Sequence, residues 1–283
     1  MMTSLLALFA LLQAAPLAPA SQPSDPVAAD WRPIPDDELL VITLAGNRTV
    51  VVRLAARYAP AHVANIRALA QAHWWDAASV YRLQENWVAQ WGDATEKKPL
   101  PPGITESPPA EFEIAGFDVA QRLGKADGYS AASGVSADGW PIATDGQAAW
   151  LTHCYGSVGV ARDALPHTGS GAELFTPIGQ SARRLDRNYT VVGRIVEGMK
   201  YLSGLPRSDA AMGMYATPGE ATPIVSIRLA SELPAAERPH FQYRATDNPR
   251  YAAYIRSRAE PALPTVATGV EVCDLPPAVR RAP

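Results

Sequence analysis

Short aliphatic runs alternate along this chain with clusters of turn-forming residues, a pattern that predicts many strands and few helices. Leu39 to Ala45 and Val50 to Ala55 are two such runs joined by Gly46-Asn47-Arg48, a hairpin with turn chemistry at its tip. Pro60 then opens a stretch in which Val63, Ile66, Leu69 and Ala70 fall on one stripe, which predicts a helix beside the hairpin. Further short strands are predicted at Ser79 to Leu83, Trp87 to Trp91, Ser157 to Ala161, Leu174 to Thr176, Thr190 to Val196 and Ile224 to Leu229. Short strands in that number, with so few helices, argue for a mainly β protein: a closed antiparallel barrel with flanking helices.

The ends and one long interior stretch do not fit a minimal barrel. Residues 1–20 hold an apolar run from Leu5 to about Ala15, too short to span a bilayer and followed by Ala18-Pro19-Ala20, so they are expected to be a secretory signal peptide. No Lys or Arg precedes that run. Residues 21–37 are rich in Pro, Ser and Ala and read as a flexible linker. The domain proper is expected over 38–230, interrupted at about 96–149 by Lys97-Lys98, a proline cluster and several glycines that read as a long surface insertion. Residues 231–283, where Pro-rich segments flank a helical-looking Pro249 to Arg258, read as a C-terminal extension.

Composition narrows the partners. A hydrophobic content of 47% over 283 residues is enough for a substantial core, and a formal charge of −3 leaves no broad basic field. Neither nucleic acid nor an anionic membrane surface is therefore an expected partner. The two cysteines, Cys154 and Cys273, are a disulfide candidate in an oxidising compartment, and two separate buried thiols are the alternative. A bridge would tie the tail to the domain body and contribute roughly 4 kcal/mol through loop closure. The histidines show no metal-ligand spacing, so no metal or cofactor is expected. His153 is next to Cys154, but adjacent strand residues face opposite ways, which argues against a thiol nucleophile.

The most informative segment is Ser79-Val-Tyr-Arg-Leu-Gln-Glu-Asn-Trp-Val-Ala-Gln-Trp-Gly-Asp93. Arg82 lies in one apolar strand and Gln90 in the next, so across an antiparallel pair Gln90 can hold the guanidinium in one orientation. This segment resembles the cyclophilin pattern F-H-R, four residues, F-M, one residue, Q-G-G-D, with Arg82, Trp87, Val88, Gln90, Gly92 and Asp93 in register. The helix Ala59-Pro-Ala-His-Val-Ala-Asn-Ile-Arg-Ala-Leu69 is similar to the family's A-P-x-x-V-x-N-F-x-x-L. Gly156-Ser-Val-Gly-Val-Ala-Arg162 resembles G-x-x-S-M-A-R, Thr168-Gly-Ser-Gly-Ala-Glu-Leu-Phe175 resembles the S-Q-F-F segment, and Leu185-Asp-Arg-Asn-Tyr-Thr-Val-Val-Gly-Arg194 resembles L-D-x-x-Y-T-V-F-G-R. The blocks occur in the family's order.

The resemblance implies a cyclophilin-like barrel and peptidyl-prolyl cis/trans isomerisation, with Arg82 and Gln90 as the catalytic pair. It implies an apolar seat for the proline ring at Trp87, Val88, Phe175, Leu185 and Tyr189, with substrate also held at Tyr81, Glu173 and the main chain of Ala161, Arg162 and Asp163. The partners expected are proline-containing segments of exported polypeptides, in a periplasm, with the protein acting as a folding assistant; nothing suggests an assembly helix, so a monomer is expected. Three departures from the pattern change the seat without making it polar: Tyr81 for His, Trp87 for Phe and Val88 for Met. Glu173 stands where the pattern has glutamine, and a carboxylate there is expected to pair with Arg82 and partly block the empty site. That contact favours the alternative reading, a proline-peptide binding module with little turnover.

Overall fold

The computed structural model describes residues 24–260 and 269–283, so the expected signal peptide lies outside the described residues. In chain order the first half forms Trp31–Pro33 (β1), Leu39–Leu44 (β2), Arg48–Leu54 (β3), Pro60–Gln71 (α1), Ser79–Leu83 (β4), Val88–Gly92 (β5), Gln121–Arg122 (β6), Ala132–Val135 (β7), Pro141–Thr144 (β8) and Ala149–Leu151 (β9). The second half forms Ser157–Val160 (β10), Leu174–Pro177 (β11), Val191–Glu197 (β12), Lys200–Ser203 (α2), Thr222–Leu229 (β13), Phe241–Arg244 (β14), Pro249–Ala259 (α3) and Val279–Arg281 (β15). Eight of these strands close a barrel in the order β10-β11-β5-β4-β13-β2-β3-β12, with antiparallel pairing throughout.

The barrel closes over one continuous core. Leu40, Ile42 and Leu44 of β2 and Val50, Val52 and Leu54 of β3 point inward, where they meet Val80, Trp91 and the inner face of α1. Helix α1 starts at Pro60, whose fixed φ suits a first helical position, and it presents Val63, Ile66, Leu69 and Ala70 to the core as the stripe predicts.

Strand β2 is buried on both faces. Leu39 and Val41, which alternate outward, pack with Val51 against Ile34, Ala230 and Phe241. The cover is a three-stranded sheet, β1-β14-β15, that joins the two ends of the described chain. Two expectations are therefore corrected. The supposed linker of 21–37 contains β1, held by its pairing to β14, by Arg280 over the Trp31 ring at 4.2 Å, and by the Asp30–Arg250 ion pair. The C-terminal extension is a wall of the same body, because without it Leu39, Val41 and Val51 would face water.

The stretch 96–149 is likewise more than a surface excursion. Strands β6-β7-β8-β9 form a second sheet whose Ile142, Ala149 and Leu151, together with Trp140 just before β8, pack on Ala55, Tyr58 and Val191 of the barrel's outer side. Arg53 pins the junction: its guanidinium donates to the Asp138 carbonyl at 2.8 Å and lies 5.0 Å from the Trp140 ring and 4.5 Å from the Tyr243 ring. One β3 side chain thus contacts both additions to the barrel.

Candidate active site

Strand register builds the site. Gly159 of β10 pairs with Phe175 of β11, Phe175 pairs with Gln90 of β5, and Gln90 pairs with Arg82 of β4. These residues form one transverse row across four strands, which puts the Phe175 and Arg82 backbones about two strand spacings, or roughly 10 Å, apart. Glycine is required at the start of the row. A Cβ on Gly159 would fall 2.4 Å from the Phe175 ring, so only a residue without a side chain lets that ring lie flat on the barrel.

A bulge between β4 and β5 solves a second geometric problem. Tyr81 and Arg82 are consecutive, and regular alternation would send them to opposite faces. The register shifts between Val80 and Arg82, so Tyr81 is the extra residue and both side chains reach Gln90. The Gln90 amide donates to the Tyr81 hydroxyl at 2.6 Å, and its oxygen accepts from an Arg82 Nη at 3.0 Å.

The Arg82 guanidinium is half-buried and held on two further sides. Its Nε donates to the Met212 carbonyl at 2.7 Å and its other Nη to Gln84 Oε1 at 2.6 Å. Burial presses the Arg82 pKa down, but a guanidinium starts so high that it stays charged at any physiological pH. Three of its five N–H bonds are used in this way, and two remain for a ligand. Gln84 and the Met212 carbonyl escaped the sequence reading. Gln84 was legible, since it stands two residues after Arg82 and shares its strand face; the Met212 carbonyl was not, because it arrives on a distant loop through the isolated Arg82–Met214 bridge.

Beside the row lies the apolar seat. Val88, Phe175 and Leu185 are buried together, with Trp87, Ala161 and Tyr189 packed against them. Phe175 meets Tyr189 edge-on at 5.4 Å, and Arg162 stacks over the Tyr189 ring at 4.7 Å to extend that wall. Behind Phe175, the buried His153 ring lies parallel to it at 6.0 Å. Asp186 secures this backing: it accepts from the His153 backbone N–H at 2.8 Å, from Trp150 Nε1 at 3.0 Å and from Arg183 Nε at 2.6 Å. From sequence, His153 enters only as a neighbour of Cys154 in a rejected nucleophile reading, and Asp186 is not singled out, although it is the second residue of the L-D-x-x-Y block.

Tyr81, Gln90, Glu173 and residues 161 to 163 also line a groove of about 350 Å³ that opens next to the seat. Here one expectation is corrected. Glu173 does not pair with Arg82; its carboxylate accepts from the Tyr81 hydroxyl at 2.7 Å and from the Asp93 backbone N–H at 2.7 Å. The register explains why. Glu173 precedes Leu174, which pairs with Trp91, so its side chain is directed at Gly92 and Asp93, one end of β5 away from Arg82. Gly92, at φ +153°, makes the room, since a Cβ there would lie 1.9 Å from the carboxylate. Burial pushes the Glu173 pKa up to about 7, against the lowering effect of its two hydrogen bonds. Cys154 and Cys273 are joined in a disulfide that borders a separate groove, behind the seat, and takes no part in the row.

Comparison with known proteins agrees with this geometry. Residues 39–228 match the family model described as cyclophilin type peptidyl-prolyl cis-trans isomerase/CLD. No curated protein matches. Among solved structures, the cyclophilin AquaCyp293 from Hirschia baltica is similar in fold, with a TM-score of 0.69 at 23% identity over 89% of this chain and 93% of that one. A Cryptosporidium parvum cyclophilin type peptidyl-prolyl cis-trans isomerase, solved in the presence of the dipeptide Ala-Pro, aligns with a TM-score of 0.43 at 14% identity over 68% of this chain and 98% of that one. Because the family model spans the whole barrel, from β2 to β13, and contains every residue of the row, this chain belongs to the cyclophilin type peptidyl-prolyl cis-trans isomerase family.

Proposed function

We propose that the protein catalyses cis/trans isomerisation of prolyl bonds in exported polypeptides, with Arg82 as the catalytic residue and the Phe175 seat as the proline site. The single observation that carries this reading is the row Phe175–Gln90–Arg82, which sets an apolar ring and a fixed cation side by side on one barrel face. A prolyl amide turns slowly because its C–N bond is partly double, with a barrier near 20 kcal/mol. At the top of that barrier the nitrogen is pyramidal and its lone pair accepts a hydrogen bond that the planar ground states cannot. A free Arg82 N–H aimed at this nitrogen stabilises the twisted state selectively, which is what lowers a barrier. Gln90, Gln84 and the Met212 carbonyl keep the guanidinium from turning away.

Turnover is favoured over mere binding because Glu173 is occupied by Tyr81 and Asp93, leaving Arg82 unblocked. The Cys154–Cys273 bridge supports an oxidising compartment such as a periplasm, and the residue pattern at 1–20 supports export. Among the described residues, no helix is long and apolar enough to cross a membrane. The test is a protease-coupled assay on a short proline peptide with wild type, Arg82→Ala and Arg82→Lys. Removing the transition-state donor is expected to lower kcat/KM at least about a hundredfold, and Lys is expected to restore little of it because a point charge cannot bridge the same partners. Equal rates in wild type and Arg82→Ala would end this reading.

A further inference from the structure

We infer that Glu173 is a positioning residue for the isomerase site, acting through Tyr81 to fix the Gln90 amide in the orientation that holds Arg82. The inference rests on the catalytic reading of Arg82 given above, and it follows from the order of donors and acceptors along one chain of contacts. An ionised carboxylate only accepts, so the Tyr81 hydroxyl must give its proton to Glu173. The Tyr81 oxygen is then left as an acceptor and takes the Gln90 amide N–H. With its nitrogen committed, Gln90 must present its oxygen to Arg82. The Asp93 backbone N–H, which can only donate, anchors the far end by engaging the other Glu173 oxygen.

Protonation reverses this order. A neutral Glu173 carries its proton toward Tyr81, the Tyr81 hydroxyl must turn elsewhere, and the Gln90 amide loses the partner that sets its orientation. Tyr81 and Glu173 are also two of the positions at which this chain departs from the cyclophilin motifs, and they meet in one hydrogen bond. The bond is enclosed: Tyr81 is buried, and the lack of a Gly92 side chain shapes the carboxylate's pocket.

Other charges facing this carboxylate set the pH at which the switch falls. From β4 the neighbour is Tyr81, and from the end of β5 and the turn after it come Asp93 and Glu96, both of which disfavour ionisation. Lys98 and Glu106 approach from the following loop, and Arg162, Asp163 and His167 from the β10–β11 connection, all around the same groove. Burial is the largest influence and places the transition near neutrality.

The experiment has an activity arm and a spectroscopic arm. Isomerisation of a proline peptide is followed without protease by NMR exchange from pH 5.5 to 8.5, for wild type, Glu173→Gln, Tyr81→Phe and a His167→Gln control. In wild type and His167→Gln, kcat is expected to rise about five- to tenfold between pH 6 and pH 8 with KM nearly constant, as expected if only the ionised form orders the site. Glu173→Gln mimics the neutral acid and is expected to run at the low-pH rate throughout, and Tyr81→Phe is expected to lose the rise and about tenfold in kcat at pH 8. The Gln90 side-chain amide resonances are expected to titrate with a midpoint near 7 in wild type and stay flat in Glu173→Gln. A pH rise that survives in Glu173→Gln, or a Gln90 amide in wild type that ignores pH, overturns the inference. Wild type without turnover at any pH overturns the isomerase reading alone, and the Gln90 titration then still decides the hydrogen-bond order.

Discussion

Replacing Asp186 with Ala is expected to be among the most damaging single changes outside the hydrophobic core, because one buried carboxylate takes three donors and ties the 150–153 segment to the turn at 183–186. Its side chain is 6% exposed, and that of its partner Arg183 is 4% exposed. The alanine variant removes the 2.6 Å ion pair to Arg183, the acceptor of the His153 backbone N–H and the acceptor of the Trp150 indole. Breaking a buried pair by deleting one partner costs about 3–5 kcal/mol. The low end applies here, since Arg183 keeps Asp127 at 2.9 Å and Glu271 at 3.0 Å. Each buried N–H left without an acceptor adds about 1–3 kcal/mol, less than additively because the groups are neighbours. A loss of about 4 kcal/mol results, from a total that is typically about 5–15 kcal/mol. Urea unfolding followed by tryptophan fluorescence measures it directly, and calorimetry should show a fall of about 10 °C in Tm. Asp186→Asn, which keeps an acceptor and loses the charge, is expected to cost about half as much. A change under about 1 kcal/mol in the alanine variant would refute the reasoning, for it would mean that desolvating this carboxylate costs as much as its three donors return.

Two further outcomes concern the disulfide and the pH dependence of stability. Reducing Cys154–Cys273 opens a loop with a sequence separation of 119 and is expected to destabilise the protein by about 5 kcal/mol on the chain-entropy estimate, read as a shift in urea midpoint with and without reductant; an unchanged midpoint would contradict it. Glu173, with a folded pKa of about 7 against an ordinary 4.5, binds its proton more tightly in the folded state, so its contribution to stability is present below about pH 4.5 and is lost as pH rises through 7. Glu173→Gln is therefore expected to gain on wild type by up to about 3 kcal/mol between pH 4.5 and 8, and a constant difference between the two across that range would contradict the assignment.

Much of the barrel was legible in the residues themselves. The β2–β3 hairpin and α1 declare themselves by local turn chemistry and by a helical stripe, both of which act over a few residues. Arg82, Gln90, Phe175 and the other walls of the seat were legible through motif spacing. The run Leu39-Leu-Val-Ile also carried a signal that was not read, for a barrel strand with one face in solvent should alternate, and this one does not. Its continuous hydrophobicity required a cover on the outer face.

Sequence by itself determined the eight strands of the barrel and which residue types the site contains, because periodicity and steric preference are local properties. Tertiary structure alone decided what Glu173 touches, since that depends on a bulge at Tyr81 and on the register of β11 against β5. It alone decided that residues 31–33 pair with 242–244 and that the 96–149 sheet caps the barrel through Arg53, Trp140 and Tyr58. Such pairings join positions far apart in the chain, and their free energy comes from burying surfaces against each other, which no short window of residues encodes.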